Sequence, residues 1–310
     1  MIKKYNLHPT VRSGLGQIPR ETLHVCKANA KNVEYLYDNV PRGHLFHTIL
    51  KAMAVSESYF DIIVWPGTWV EDATIDFGTK ESMRMYAADF GPGHAKKNTH
   101  IRQYNGSNVP VVTVNGAHNI EIAGFRLSPY DLDSETKNDS IAVAQTIWTH
   151  GVYIHDNYFS NYKNNGQCIL LGAAGGAGTE ATDAVVENND FNRGGGSVAL
   201  QAQLQMHDCP RAHILHNKFD DIGVHGLSIH YTELQTTHYR SAWICDNYFV
   251  NSDGNAGNVG IDVGATEPGR LVIIGNHFVN YASEVACISD IDADLWGLNY
   301  RNIVAISSTA

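Results

Sequence analysis

An asparagine recurs about every thirty residues through the second half of the chain, always in the pattern apolar-x-apolar-x-x-Asn-x-Phe or a close variant. The copies are Val152-Tyr-Ile-His-Asp-Asn157-Tyr-Phe159, Ala184-Val-Val-Glu-Asn-Asn189-Asp-Phe191, His213-Ile-Leu-His-Asn217-Lys-Phe219, Trp243-Ile-Cys-Asp-Asn247-Tyr-Phe249 and Leu271-Val-Ile-Ile-Gly-Asn276-His-Phe278. Each is followed by a turn and a second short apolar segment: Cys168–Leu171, Ser197–Ala202, Gly226–His230, Val259–Val263 and Val285–Ser289. A unit of two short period-two strands cannot bury its own apolar face, but stacked units bury a continuous column.

A parallel β-helix satisfies these constraints, with one unit per coil. Ile154, Phe159, Ile214, Phe219, Ile244, Phe249, Ile273 and Phe278 then point inward, each above its counterpart in the next coil. Asn157, Asn189, Asn217, Asn247 and Asn276 form a structural ladder. Asparagine tolerates left-handed dihedrals at a bend, and its amide can bond to the copy one coil away. A degenerate earlier copy, Asn119-Ile-Glu-Ile-Ala-Gly124-Phe125, places Gly where Asn is expected. Propeller blades need about 40–45 residues and four strands, and a sandwich has no use for one residue type at a fixed thirty-residue period.

The first half continues the pattern. Leu45, Phe46, Ile49, Leu50 and Met53 form a helical stripe within Gly43–Ala54, suited to closing the open end of the column. Strands are expected around Asp61–Trp65 and Thr68–Glu71, separated by the Pro66-Gly67 turn, and at 73–77, 82–86, 99–102 and 110–114. Residues 1–42 show no repeat and read as an extended N-terminal arm, packed on the domain or held by a partner. The β-helix domain is then 43–310.

Composition removes several functions. The formal charge of −10 disfavours nucleic-acid binding, which needs a basic surface. No apolar run is long enough to cross a membrane, and no hydrophobic leader follows Lys3-Lys4. The five cysteines lack C-x-x-C spacing and read as buried thiols. The Gly-rich stretches 172–178 and 194–196 lack the Lys-Ser/Thr of a phosphate loop. Histidine pairs such as His44/His47 and His225/His230 lack metalloprotease spacing. Two acidic loops, Tyr130–Asp139 and Asp290–Asp294, have the composition but not the spacing of Ca²⁺ loops. No metal or cofactor is expected.

Ile62-Ile-Val-Trp-Pro-Gly-Thr-Trp69, together with the Asn-x-Phe coils, resembles the pectin-lyase-like superfamily of right-handed parallel β-helices over about residues 44–290. The resemblance implies an all-β, single-stranded right-handed parallel β-helix with a short N-terminal capping helix. It does not fix an activity, since the superfamily holds lyases, hydrolases, epimerases and phage tailspikes. Without a secretion signal, and with an arm at its front, the chain is closest in character to phage spike and decoration proteins. The expected function is a rigid virion protein, homotrimeric, assembled in the host cytoplasm and attached to other virion proteins through residues 1–42. The competing class is a polysaccharide-degrading lyase or glycoside hydrolase, or a glycan-binding receptor protein.

For an enzyme, the site would lie outside one sheet. If Leu227, Ile229, Ile261 and Val263 point in, Ser228, His230 and Asp262 point out. His230 and Asp262 are the catalytic candidates, with Gln201, Tyr231 and Asp253 as binding candidates. His230 suits a general base, and carboxylates 5–9 Å apart would suit glycoside hydrolysis. Asn-Thr-Asp and Gly-His-Gly elements of polygalacturonases are absent. Exposed tyrosines of the Asn turns, such as Tyr158 and Tyr248, suit sugar stacking or a subunit interface.

Overall fold

The computed structural model describes residues 20–31, 33–89, 98–103, 109–128, 139–160, 167–173, 179–194, 202–207, 209–222, 225–231, 241–252, 257–265, 270–283, 287–289, 296–300 and 302–306. The chain coils through three long parallel sheets. Each coil between Phe60 and Ser289 contributes one strand to each sheet, in the order first, second, third. The first sheet runs through eleven strands, including Glu21–Val25, Phe60–Val64, Arg84–Ala87, Glu121–Ala123, Tyr153–His155, Val185–Glu187, Ala212–Leu215, Ser241–Cys245 and Arg270–Ile274. The second sheet has nine, from Gly67–Glu71 to Ile303–Ile306, and the third has eight, from Ile75–Asp76 to Ile288–Ser289. This is the expected parallel β-helix.

Period-two alternation in each strand builds the core. Ile62, Met85, Ile122, Ile154, Val186, Ile214, Ile244 and Ile273 are register partners in the first sheet, and all are buried. In the second sheet Phe159, Phe191, Phe219, Phe249 and Phe278 stack with centroids 4.6–5.0 Å apart and ring planes within 7°. Strand spacing of about 4.8 Å imposes this parallel stacking, which free rings do not favour.

The five predicted asparagines form a buried ladder. From Asn189 on, each Asn Oδ1 accepts from the main-chain N–H and the Nδ2 of the rung before it, as at Asn189 to Asn217 (2.9 and 3.1 Å) and Asn217 to Asn247 (2.9 and 3.1 Å). Each Nδ2 also donates to a carbonyl of the preceding coil. Two details differ from expectation. The left-handed residue is the one before each rung, namely Asp156, Asn188, His216, Asp246 and Gly275, with φ between 55° and 70°. Gly124 (φ 81°) takes that position, and buried Phe125 occupies the rung, donating its N–H to Asn157 Oδ1. Bend and ladder are thus separate jobs on adjacent residues: Asp, Asn, His or Gly for the positive φ, Asn for the amide. The far end carries a sixth rung that lacks the Phe, Asn302, which accepts from both nitrogens of Asn276.

At the front, the expected helix over 43–54 is shorter. Leu45–Phe46 pairs with Glu21–Val25 as a strand, and helix α2 spans Ile49–Val55, with Thr48 as its N-cap. The Thr48 hydroxyl and the Lys51 N–H are 3.3 Å apart, and Glu71 receives the Ile49 N–H. Ile49, Ala52 and Met53 pack onto the first strands of the sheets and close the column. Residues 20–42 supply the Glu21–Val25 strand and helix α1, Val33–Asn39, to this first coil. Residues 1–19 lie outside the described residues. Cys26, Cys168, Cys209 and Cys287 are buried and Cys245 is half-buried.

Candidate functional site

The strands of the third sheet carry the predicted catalytic pair. Leu204, Leu227 and Ile261 are register partners facing in, as are Met206, Ile229 and Val263. Between them Gln205, Ser228 and Asp262 form an in-register row on the outer face. Although this row faces outward, Gln205 is 9% exposed, Ser228 0% and Asp262 8%. Ser228 Oγ lies 3.2 Å from Asp262 Oδ2, so the hydroxyl donates to the carboxylate. Gln167 Nε2, from just before the preceding coil's strand, donates to Gln205 Oε1 at 2.6 Å, while the row position itself is taken there by Leu170. Polar groups on an outer face are normally solvated, so the burial of this row means that other parts of the chain cover it.

His230 pairs in register with His207 and Gly264, two positions along its strand from Ser228. Its Cα is therefore a diagonal neighbour of that of Asp262, about 8 Å away. Tyr231 follows it in the strand, opposite Ala265. The side chains of His230 and Tyr231, and all of Gln201 and Asp253, lie outside the described residues. The described strand of the Gln201 coil is Ala202–His207 rather than Ser197–Ala202. The apolar alternation runs unbroken from Val198 to Met206, so periodicity alone could not choose the paired half, and Gln205 was missed. Asp76 and Asp262 are the only carboxylates of this outer row among the described residues. They are six strands, about 29 Å, apart, too far for a two-carboxylate glycosidase.

The outer face of the first sheet holds a second constellation. Asp61, Arg84, Glu121 and Tyr153 are consecutive register partners, flanked by Tyr86, His155 and Glu187. Buried Asp61 takes Arg84 and Arg20 together. His155 lies between two carboxylates, with Nδ1 2.8 Å from Asp156 and Nε2 3.1 Å from Glu121. Tyr153 stacks on its ring at 3.9 Å and donates its hydroxyl to Glu187 at 2.5 Å. Burial works against the imidazolium, but the bonds to Asp156 and Glu121 win and raise the His155 pKa. Burial likewise opposes the Glu121 charge, and His155, Arg84 and Arg20 hold its pKa below the ordinary value. Glu187 is drawn down to about 2 by His216 and, against burial, by Tyr153. This geometry does not suit glycosidic cleavage: an imidazole fills the gap between Glu121 and Asp156 where a sugar and water would stand. These groups pair with one another across coils and tie the coils together.

The remaining candidates resolve into local roles or fall outside view. His44 meets Glu21 at 3.2 Å and His47 meets the Cys26 carbonyl at 2.8 Å, each closing the first coil. Among the described residues, no group of three His, Cys, Asp or Glu side chains could hold a metal. Residues 130–138 and 290–294 lie outside the described residues.

No family model matches the chain, and no curated protein does. Solved structures do. The pectin methylesterase of Aspergillus niger is 11% identical, covering 94% of this chain and 91% of its own, with a TM-score of 0.58. A pectin methylesterase in complex with a hexasaccharide is 10% identical over 94% and 92%, with a TM-score of 0.56. The pectin methylesterase of carrot is 11% identical over 86% and 80%, with a TM-score of 0.51. At such identities the likeness concerns the path of the backbone. The chain has the pectin-lyase-like parallel β-helix fold.

Proposed function

We propose that the chain acts on a polysaccharide laid across the outer face of the third sheet, with Asp262 as the central acid–base group. The observation that carries this reading is the in-register row Gln205–Ser228–Asp262, outward-facing yet shielded from water. The Ser228 hydroxyl donates to Asp262 Oδ2 and fixes the orientation of the carboxyl group, which can exchange a proton with a substrate hydroxyl or water. The Gln205 amide, held by Gln167, places a hydrogen-bonding group in the same row, the kind of group that steadies an oxygen gaining charge. His230, diagonal to Asp262, supplies an imidazole as second proton carrier. Solved proteins of the same fold named as pectin methylesterases, one holding a hexasaccharide, make a pectin-like polymer the first substrate to try. The virion reading, with its homotrimer and its attachment through residues 1–42, gains no support from the fold or from these neighbours.

The test is turnover on methyl-esterified pectin, polygalacturonate and bacterial capsular polysaccharides. Acid release would report an esterase, new reducing ends a hydrolase, and unsaturated sugars a lyase. Any of these, abolished by Asp262→Asn in a folded protein, supports the reading. Failure on every polymer, or full activity of Asp262→Asn, contradicts it.

A further inference from the structure

Between the third and first sheets the chain forms a short fourth ladder. Glu81 bridges to His118, His118 to His150, and Thr149–His150 pairs with Ala181–Thr182. Trp148 and Ile147 stand on this corner, 42% and 48% exposed. They are held there firmly. Asn115 Oδ1 accepts the N–H groups of Thr146 and Ile147 at 3.0 and 2.9 Å, and Asn115 Nδ2 donates to Thr146 Oγ1 at 2.6 Å. Gly116, at φ 83°, donates to Thr149 Oγ1, and an added Cβ would come within 3.1 Å of Ile147. The His118 ring lies 4.8 Å from the indole, and the His150 ring stacks at 5.9 Å and 25°. His150 is itself oriented by Asp183 (3.0 Å) and Thr182 (3.2 Å), and Asp183 by a double bond-pair from Arg211. Burial lowers the pKa of His118, whose Nδ1 accepts the His150 N–H.

We infer that Trp148 and its two imidazoles form a sugar-stacking platform for a neutral pyranose unit. A rigid aromatic plane with hydrogen-bonding groups at its rim matches a pyranose, which has an apolar C–H face and a polar edge. The exposed apolar area is two side chains, far below the roughly 800 Å² per partner of a stable protein interface. Charge selects the sugar. Arg211 is paired with Asp183, leaving Glu81 to set the sign, so a free uronate meets like charge and a neutral or esterified unit does not. Trp148 follows the third-sheet strand Ile141–Val143, four strands from Val259–Ala265, which bears Asp262, or about 19 Å. One polymer would span both places. That continuity rests on the proposed function, whereas the stacking itself does not.

The experiment is calorimetric titration of the full chain with a fully methyl-esterified galacturonate hexasaccharide, its de-esterified form and a neutral glucose hexasaccharide. The platform predicts that esterified or neutral sugar binds more tightly than the acid. Trp148→Ala should weaken that binding about tenfold or more, with Trp148→Phe keeping part of it. Tyr35→Ala, an exposed aromatic on helix α1, should leave binding unchanged. Equal affinity in Trp148→Ala would overturn the platform. So would self-association, read by sedimentation, that vanishes in Trp148→Ala while sugar affinity holds. Either result leaves the third-sheet reading standing if Asp262→Asn still abolishes turnover. Tenfold loss in Trp148→Ala with no turnover by the native chain would keep the platform and sink the enzyme.

Discussion

Removing one rung from the middle of the asparagine ladder tests whether it holds the coils together. Asn217→Ala deletes four bonds: two accepted from Asn189 (2.9 and 3.1 Å), one given to Val186 O (2.9 Å) and one to Asn247 Oδ1 (3.1 Å). Not all are equal. Asn189 Nδ2 keeps Ile154 O and Glu187 O, and Asn247 Oδ1 keeps the Asn217 N–H. The Asn189 N–H and the Val186 carbonyl each lose a partner in a buried setting. At about 1–3 kcal/mol for each such group, the variant should lose about 3–4 kcal/mol. Asn302→Ala is the internal control. It deletes the bonds from Asn276 and one to Ile273 O (3.3 Å), but at the part-buried end where water can substitute, so about 1–2 kcal/mol is expected. Urea midpoints at constant slope would measure both. A loss below about 1 kcal/mol for Asn217→Ala, or an equal loss for the two, would refute the reasoning.

Acid should expose the charge network of the first sheet. Glu187 has a folded pKa of about 2 against an ordinary 4.5, so its contribution is full above 4.5 and disappears as pH falls towards 2. Glu187→Gln should flatten the fall in urea midpoint over that window, and an unchanged slope would contradict the assignment. Gly172→Ala should be severe, because φ is 73° and a Cβ would sit 1.9 Å from His207 O; Gly78→Ala, at φ 56° in open space, should be mild. Thermal melting of the two variants compares them directly. Phe219→Ala, removing a ring stacked on both sides, should cost about 3–5 kcal/mol and leave the fold's circular dichroism intact, read by urea titration.

The fold was legible because two demands repeat along the chain. From Ile154 to Phe278 each coil puts Ile or Val into the first sheet and Phe into the second, and each needs an amide beside the bend. Where one of these is relaxed, the reading slips: Asn302 lacks its Phe, and Phe125 replaces an amide. The strand Glu21–Val25 has no such bend and so looked like part of an arm. The site was half legible. Alternation put Ser228 and Asp262 outside correctly, since facing within a strand is a local property. Contacts between coils are not local, because they depend on loop lengths that change from coil to coil. The pairing of Glu121 with His155, and of Trp148 with His118, spans thirty residues or more and follows no repeated sequence pattern. Burial of the outward row on the third sheet is likewise a property of the assembled fold.

A crystal structure of the full chain soaked with a pectin hexasaccharide would bear most directly on where the polymer lies. The account predicts sugar rings across the third sheet, within hydrogen-bond reach of Gln205 and Asp262. Rings on the outer faces of the first or second sheet, with the Gln205–Ser228–Asp262 row untouched, would contradict it.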